Sequence, residues 1–160
     1  MNAELSATPR LTLAEIRAAR QMLGDRVRVT PVQALSGPAV EAAFAPGTRP
    51  LLKLELFQHT GSFKARGALL NMLLLSDAER ARGVCAISAG NHAIATAFAA
   101  QSVGVHAKVV MKAAALPFRI EQCRQYGAEI ELVADVHTGF RRVQEIQAAN
   151  AVPVGELRDP

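Results

Sequence analysis

The sequence has no tryptophan, one tyrosine and only two cysteines, and it contains no long hydrophobic run. Cys85 and Cys123 form no Cys-x-x-Cys pair and have no histidine at metal-ligand spacing, so neither a disulfide framework nor a metal site is predicted. The longest apolar stretches, 69–75 and 93–100, are too short to cross a bilayer, and the N-terminus lacks an apolar signal core. We therefore expect a soluble protein of the reducing cytoplasm with no membrane partner.

Positive charge is present but is not concentrated in any one segment. The formal net charge is +4 and the isoelectric point is near 9.6. Arginines near the front and in the later helix-like runs are interspersed with Glu and Asp, and an aromatic content of 4% offers few rings for base stacking. The sequence thus argues against a nucleic-acid partner and favours ordinary solvated helix faces.

From residue 51 onward, strand-like runs alternate with longer helix-like runs. With 160 residues, half of them hydrophobic, the chain can bury one core of ordinary size. Four strand–helix units are predicted, at 51–57 with 64–75, 84–88 with 91–103, 107–111 with 116–126, and 129–133 with 138–150. This alternation predicts an α/β fold in which a parallel sheet has helices on both faces.

Before the sheet, a front helix is predicted to begin after Thr12, which is a suitable N-cap with Glu15 three residues later as in a capping box, and to end near Gly24. The segment 36–50 contains several Gly and Pro residues and is predicted to be mostly connection. At the other end, 151–154 is predicted to begin a further strand.

The loops 58–64 and 88–92 are the candidate binding segments, because ligands of open parallel sheets lie outside the carboxyl ends of the strands. Lys64 is expected in the first turn of a helix, where the helix dipole opposes a cation and so favours the neutral amine. Only a neutral amine can attack an aldehyde. Taken alone, such a lysine is more often a solvated surface residue.

The residues around this lysine read Thr60-Gly61-Ser62-Phe63-Lys64-x-Arg66-Gly67-Ala68. The segment resembles the lysine motif of the serine/threonine dehydratases (threonine ammonia-lyases), a branch of the fold type II, tryptophan-synthase-β-like, pyridoxal-phosphate enzymes. The resemblance implies that Lys64 holds pyridoxal 5′-phosphate covalently and later acts as acid and base on the substrate α-carbon, while Phe63 packs beside the cofactor ring. Independently, a glycine inside a helix, such as Gly67, costs about 1 kcal/mol relative to alanine and indicates the close approach of another backbone.

The second loop resembles the asparagine loop of the same family, and it reads Ser88-Ala89-Gly90-Asn91-His92-Ala93. The resemblance implies that Asn91 hydrogen-bonds the 3′-oxygen of the cofactor. It also implies that the backbone N–H groups of Ser88, Ala89, Gly90, Asn91 and His92, with the Ser88 hydroxyl, hold the substrate carboxylate. An unaccompanied Asn or Ser here would more often be a plain N-cap. For the His92 ring we expect a structural role, since the family gives it no proton transfer.

The resemblance extends over nearly the whole chain, but several positions depart from the family pattern. Leu56 stands where the family usually has Asn, Ile94-Ala95 stand where Gln-Gly usually follow, and Lys112 replaces a proline. The family's phosphate cradle is a run of glycines in the second half of the chain, where the metal site and the residue facing the pyridine nitrogen also lie. The glycines after the asparagine loop are isolated here, so no cradle is predicted within this sequence.

The activity that the resemblance implies is β-elimination from L-threonine or L-serine, which gives a 2-oxo acid and ammonia. Racemases of the family carry a serine at the second position of the asparagine loop, whereas Ala89 cannot transfer a proton, so serine racemisation is less favoured. A catalytically incomplete fragment or a partner-binding remnant of such an enzyme is the alternative. A nucleotide-binding domain is disfavoured, because the sequence has no GxGxxG after the first strand and no GxxxxGK[ST].

The resemblance also predicts a domain division. Residues 1–50 would belong to the large domain, 51–150 would form the small α/β domain with both loops, and 151–160 would begin a truncated large domain. A truncated sheet leaves an edge and an apolar face uncovered, so we expect a homo-oligomer or association with a missing second half. Without the cradle, the chain alone is expected to bind the cofactor weakly.

Overall fold

A computed structural model describes residues 11–149 and 151–154, so the first ten residues of the predicted segment 1–50 and most of the predicted segment 151–160 lie outside the described residues. The helices are α1 (Leu13–Leu23), α2 (Pro38–Ala43), α3 (Lys64–Leu73), α4 (Asp77–Arg82), α5 (Asn91–Ser102), α6 (Pro117–Gln125) and α7 (Val136–Ala148). The strands are β1 (Val32–Ala34), β2 (Leu51–Lys53), β3 (Val84–Ile87), β4 (Ala107–Lys112), β5 (Glu129–Val133) and β6 (Val152–Pro153). Short 3-10 turns cover Gly24–Arg26, Glu55–Phe57 and His59–Gly61.

The centre of the protein is a four-stranded parallel sheet in the order β5-β4-β3-β6. Val84 of β3 lies opposite Ala107 of β4 on one side and Val152 of β6 on the other. Small and β-branched residues fill the central strands, and Val84 and Cys85 are almost fully buried, as a sheet covered on both faces requires. The predicted α/β fold with a parallel sheet is therefore confirmed.

Helices pack on both faces of this sheet, because successive strand residues point to opposite sides. The larger core cluster joins Val84, Ala86 and Val109 to the buried sides of α3, α5 and α6. The smaller cluster joins Cys85 and Val110 to buried residues of α7. Within 11–149 and 151–154, no helix is long and apolar enough to cross a membrane.

The strand order reverses between β3 and β6. The chain runs outward from β3 to β4 and β5 through α5 and α6, and α7 then crosses the opposite face and brings β6 to the free side of β3. In open parallel sheets, the crevice at the carboxyl ends of the strands at such a reversal is the usual ligand site. The loop 88–90 follows β3 at this point, where the sequence predicted a binding segment.

The front helix α1 has the predicted N-terminus. The Thr12 hydroxyl accepts the Glu15 N–H at 3.2 Å, and the Glu15 carboxylate accepts the Thr12 N–H at 2.6 Å, so both halves of the capping box are present. The helix ends at Leu23, and Gly24 follows with φ 50°. This prediction is confirmed.

One prediction for the front of the chain is wrong. Only Leu51–Lys53 is extended, and it pairs antiparallel with Val32–Ala34 in a separate two-stranded sheet rather than joining the parallel one. A nearby preceding segment offered the edge, and Leu54 N–H completes the pairing by donating to the Pro31 carbonyl. The segment 36–50 is mostly connection, as predicted, and it also contains the short helix α2, which begins at Pro38, a residue well suited to the first position of a helix.

The structure also contains a helix that was not predicted, and one glycine prediction is wrong. Helix α4 is capped by Ser76, whose hydroxyl accepts the Glu79 N–H in a second capping box, so the Ser-x-x-Glu signal was present in the sequence. Gly67 lies on the exposed side of α3, and an added Cβ would meet nothing within 4 Å. The close approach occurs at Gly139 of α7 instead, where a Cβ would lie 2.5 Å from Ile87 Cδ1.

Candidate active site

The lysine loop runs from β2 to α3 through two 3-10 turns. Thr60 has φ 62° and ψ 9°, a left-handed conformation that β-branched residues rarely adopt, and Gly61 follows with φ 68°. The hydroxyls of Thr60 and Ser62 are buried and have no hydrogen-bond partner in the described part of the chain. Local strain together with unpaired polar groups is typical of functional loops.

A partly buried polar cluster fixes the start of α3. Arg66 donates to the Glu55 carboxylate through Nε at 2.7 Å and Nη2 at 2.8 Å, and the Thr30 hydroxyl also donates to it. The side-chain hydrogen bonds from Arg66 lower the pKa of Glu55 to about 2, because the paired guanidinium favours the charged carboxylate. Arg66 lies two residues after Lys64, so the cluster fixes the backbone that carries the lysine.

Gln58 anchors the same loop to the front segment. Its side-chain oxygen accepts the Arg28 N–H at 2.9 Å, and its side-chain nitrogen donates to the Arg28 carbonyl at 2.9 Å. The residue is 2% exposed. A glutamine can pair with a peptide group as another peptide would, since it carries both a donor and an acceptor. Sequence reasoning missed this role, because nothing in the sequence marks a distant backbone partner.

Lys64 is the first residue of α3, as predicted, and it lines a cleft of about 450 Å³ at the reversal between β3 and β6. We call this the lysine cleft. Its other lining residues are Cys85, Ala86, Ile87, His92, Phe140, Val143, Gln144, Gln147, Pro153 and Val154. The Lys64 Nζ lies 5.2 Å from the centroid of the Phe63 ring, and it has no ion-pair or hydrogen-bond partner among residues 11–149 and 151–154. Its amine is therefore not held by a carboxylate.

The asparagine loop is held from both sides. The Ser88 hydroxyl accepts the Gly90 N–H at 3.1 Å, and Arg119 of α6 donates to the Ala89 carbonyl at 3.1 Å. Asn91 begins α5, and the N–H groups of Asn91 and His92 have no hydrogen-bond partner within the described ranges, so they are available to an anion. The Ser88 and Gly90 N–H groups are not available as predicted, because the first donates to the Val110 carbonyl at 3.1 Å and the second to the Ser88 hydroxyl. Arg119 was missed in the sequence, since one arginine among several on a later helix gave no signal.

His92 connects the asparagine loop to the end of the parallel sheet. Its Nε2 lies 3.3 Å from the Val154 carbonyl oxygen, an arrangement that the tautomer with Nε2–H satisfies. The ring therefore forms part of the wall of the lysine cleft. This contact is consistent with the structural role that was predicted for His92.

The two loops lie side by side, but Asn91 and Lys64 line different clefts. The Asn91 side chain faces a neighbouring cleft of about 500 Å³ with Thr60 and Gly61, and its amide has no hydrogen-bond partner within the described ranges. Arg28, Arg119 and His59 also line this cleft. Burial, with a smaller effect of the nearby Arg28 charge, lowers the pKa of His59, whose ring stacks on Phe98 at 5.0 Å.

The chain therefore carries an unpaired lysine amine in the crevice of a parallel α/β sheet, beside two helix-start N–H groups that have no acceptor among the described residues. The family model of the pyridoxal-phosphate dependent enzymes matches residues 18–159, and the chain belongs to this family. The predicted family and its cofactor, pyridoxal 5′-phosphate, are therefore confirmed.

The chain is similar to enzymes of three kinds. It is 44% identical over 145 residues to phenylserine dehydratase from Ralstonia pickettii, covering 91% of this chain and 43% of that protein. It is 38% identical over 154 residues to L-threonine ammonia-lyase from Thermotoga maritima, covering 94% of this chain and 37% of that protein. The fold superposes on the structure of maize serine racemase with a TM-score of 0.78 and 30% identity. The match covers 90% of this chain and 43% of that protein. The chain thus spans less than half the length of each of these relatives.

Two side chains of this chain have the chemistry to contact parts of the family cofactor, although they line different clefts in this structure. The free Lys64 amine suits the aldehyde, and the unpaired Asn91 amide suits a ring oxygen. The glycines of the sequence after this loop are isolated and form no cradle for the phosphate. Within the described residues there is also no cluster of three or more His, Cys, Asp and Glu that could hold a metal ion.

Proposed function

We propose that this chain carries the lysine half of a pyridoxal-phosphate-dependent ammonia-lyase that eliminates water from a β-hydroxy-α-amino acid. L-Threonine and L-serine are the substrates that the sequence motifs imply, and the names of the threonine and phenylserine relatives support dehydration as the reaction. The observation that carries the proposal is the unpaired Lys64 amine in the crevice at the strand reversal.

Each site residue has a proposed part in this reaction. When bound, the cofactor supplies an electron sink for the carbanion at the α-carbon. Lys64 would hold the cofactor and then take the α-proton through Nζ, Asn91 would orient the ring through its 3′-oxygen, and Phe63 would pack beside the ring. The N–H groups of Ala89, Asn91 and His92 and the Ser88 hydroxyl would hold the carboxylate, since the Ser88 and Gly90 N–H groups have acceptors within the protein. The α-proton and the β-hydroxyl leave as water, and hydrolysis of the product enamine yields the 2-oxo acid and ammonia.

Elimination is proposed over racemisation because of Ala89. Racemisation needs a second group that transfers a proton on the opposite face of the α-carbon, and a methyl side chain cannot do so. The structural similarity to a serine racemase makes this the main rival. The test is to assay the natural gene product that contains this chain with L-serine and L-threonine, following 2-oxo acid and D-amino acid together. Faster D-serine production than pyruvate release would overturn the proposal.

A second candidate is a catalytically incomplete piece that binds a partner. This candidate is supported by the length of the match, since the chain spans 43% or less of the length of the phenylserine and threonine relatives named above. Pyridoxal phosphate titrated into the 160-residue chain, with and without a second-half polypeptide from a related enzyme, separates the two candidates. We expect weak binding and little deamination from the lone chain, with both increasing in the mixture. Micromolar cofactor affinity and robust turnover by the lone chain would contradict this expectation.

The proposed partners are a small amino-acid substrate and either further copies of the chain or a second half. Large apolar side chains in the first third of the chain are exposed, including Leu51 at 65% and Val29 at 76% exposure. Such a surface favours association. Sedimentation velocity of the 160-residue chain measures this directly, and a monomer at micromolar concentration would contradict it. The cytoplasm is the proposed location, because both cysteines are free thiols.

A further inference from the structure

The lysine cleft has an apolar wall that the proposed reaction has not yet used. Facing Lys64 are Ile87 from β3, Phe140 and Val143 from α7, and Pro153 and Val154 at β6. The polar lining side chains are His92, Gln144 and Gln147, and among the described lining residues only Lys64 is a Lys, Arg, Asp or Glu. On this described wall, a substrate side chain therefore meets no carboxylate and no cation besides Lys64.

Phe140 is the largest apolar group on this wall, and it is left uncovered. The ring is 56% exposed, whereas Val143 and Ile146 on the same helix are 7% and 8% exposed and pack on the sheet. Within the part of the chain that the structure describes, the ring pairs are His59 with Phe98 and Phe98 with Tyr126, so Phe140 has no aromatic partner. An exposed aromatic ring in a cleft beside the reacting lysine is suited to stack against a ligand ring.

The position of Phe140 is fixed by its neighbour in the sequence. Gly139 faces Ile87, and the absence of a Cβ lets α7 lie close against β3, since a Cβ would come within 2.5 Å of Ile87 Cδ1. The next residue along the helix is thereby held at the mouth of the crevice between β3 and β6. The ring is carried by a helix packed on the sheet rather than by a loop, so it is preorganised.

We propose that Phe140, with Val143 and Val154, forms the subsite for the substrate side chain, and that this subsite selects a β-hydroxy amino acid with an aryl group on the β-carbon over serine and threonine. The inference rests on the proposed β-elimination and adds the substrate class. The α-proton and the β-hydroxyl leave as water, and hydrolysis releases ammonia and an aryl-substituted 2-oxo acid. No oxidant or reductant is needed, because the elimination and the hydrolysis together are redox-neutral.

The test compares Phe140→Ala and Phe140→Leu with Phe44→Ala in the natural gene product that contains this chain. Phe44 is 46% exposed and does not line the lysine cleft, so it matches the aromatic deletion at a distant surface site. The kcat/KM values for 3-phenylserine and L-threonine are measured for each protein. We expect the phenylserine-to-threonine ratio to fall about tenfold in Phe140→Ala and less in Phe140→Leu, with threonine turnover changed by less than about twofold. Phe44→Ala should leave the ratio unchanged.

A binding measurement separates failure of the subsite from failure of the reaction. L-Phenylalanine and L-alanine cannot lose a β-hydroxyl, so their Kd values on the cofactor-loaded protein report the subsite without turnover. We expect phenylalanine to bind more tightly than alanine and to lose about tenfold in Phe140→Ala. If neither 3-phenylserine nor L-threonine is dehydrated but phenylalanine still binds more tightly than alanine and loses affinity in Phe140→Ala, the proposed reaction is wrong and the subsite stands. Two results would overturn the subsite. One is a phenylserine-to-threonine ratio that Phe140→Ala leaves unchanged, together with the same phenylalanine Kd for Phe140→Ala and the unmutated protein. The other is an unmutated protein that prefers threonine to phenylserine.

Discussion

Replacing Gly139 by alanine tests how closely α7 packs on the sheet. The residue has no positive φ, so alanine is allowed by the backbone and should gain about 1 kcal/mol of helix propensity. The added Cβ would lie 2.5 Å from Ile87 Cδ1 and 3.4 Å from Val133 Cγ2. Overpacking of this kind costs about 1–3 kcal/mol, so we expect a net loss of about 1 kcal/mol in the free energy of unfolding.

The clash involves the terminal atom of one side chain, which allows a double-mutant cycle. Ile87→Val alone should cost about 0.5–1 kcal/mol, the lower part of the usual range, because Ile87 is only partly buried. In the Gly139→Ala background the same change removes the clashing Cδ1, so it should cost nothing or stabilise. The expected coupling energy between the two sites is about 1–2 kcal/mol.

The assay is urea unfolding of the 160-residue chain, followed by far-ultraviolet circular dichroism because the sequence has no tryptophan. Gly67→Ala is the matched control, since this glycine also lies inside a helix and a Cβ there would meet nothing within 4 Å. It should stabilise by about 0.5–1 kcal/mol. Equal stabilisation by both alanines, or additive effects of Gly139→Ala and Ile87→Val, would refute the packing argument.

Four further outcomes are expected. Lys64→Ala should abolish the visible absorbance of bound cofactor and its borohydride fixation in the natural gene product, and a retained band would exclude Lys64 as the attachment site. Glu55→Gln should lower the free energy of unfolding in urea by about 2 kcal/mol at pH 7. Because the Glu55 pKa is lowered from 4.5 to about 2, the stability difference between the variant and the unmutated chain should shrink as the pH falls through that interval. A stability difference that stays constant with pH would contradict this prediction. Ser76→Ala should cost about 1 kcal/mol by loss of the α4 cap, and an unchanged midpoint would be evidence against it. Burial raises the pKa of the Cys123 thiol to about 11, so iodoacetamide should label it only in urea, as read by mass spectrometry, and labelling of the native chain would show that the core opens.

The parallel sheet could be predicted because its signals are local. β3 is a short apolar run, β4 is largely apolar and β5 alternates polar and apolar residues; each is followed by a helical pattern, and the structure keeps these elements within a few residues of the prediction. The prediction for 51–57 was wrong because the sheet that a strand joins depends on the strand with which it pairs. Leu51–Lys53 was apolar enough for a buried parallel strand, but the backbone of Val32–Ala34 lies nearest to it. Strand propensity does not identify which edge a strand joins.

For the site, the sequence supplied the residues with a family motif but not those that hold them in place. Lys64 lies at the helix start as predicted, whereas Gln58 and Arg66 both donate to the backbone carbonyl of the distant Arg28. Such side-chain contacts to distant backbone or hydroxyl groups leave no periodic pattern. The prediction of roles for Lys64 and Asn91 stays a prediction, and the structure adds that their side chains line neighbouring clefts.

The short strand β6 gives the lysine cleft a place in the order of folding. Val152 and Pro153 pair with β3 only after the chain has passed through α5, β4, α6, β5 and α7, and this pairing brings Pro153 and Val154 into the wall beside Lys64. Closing so long a loop for two residues of strand is entropically unfavourable and slow compared with the pairing of β3, β4 and β5. During synthesis, the part of the sheet from β3 to β5 can therefore form first, and the lysine acquires its cavity when the chain closes around it.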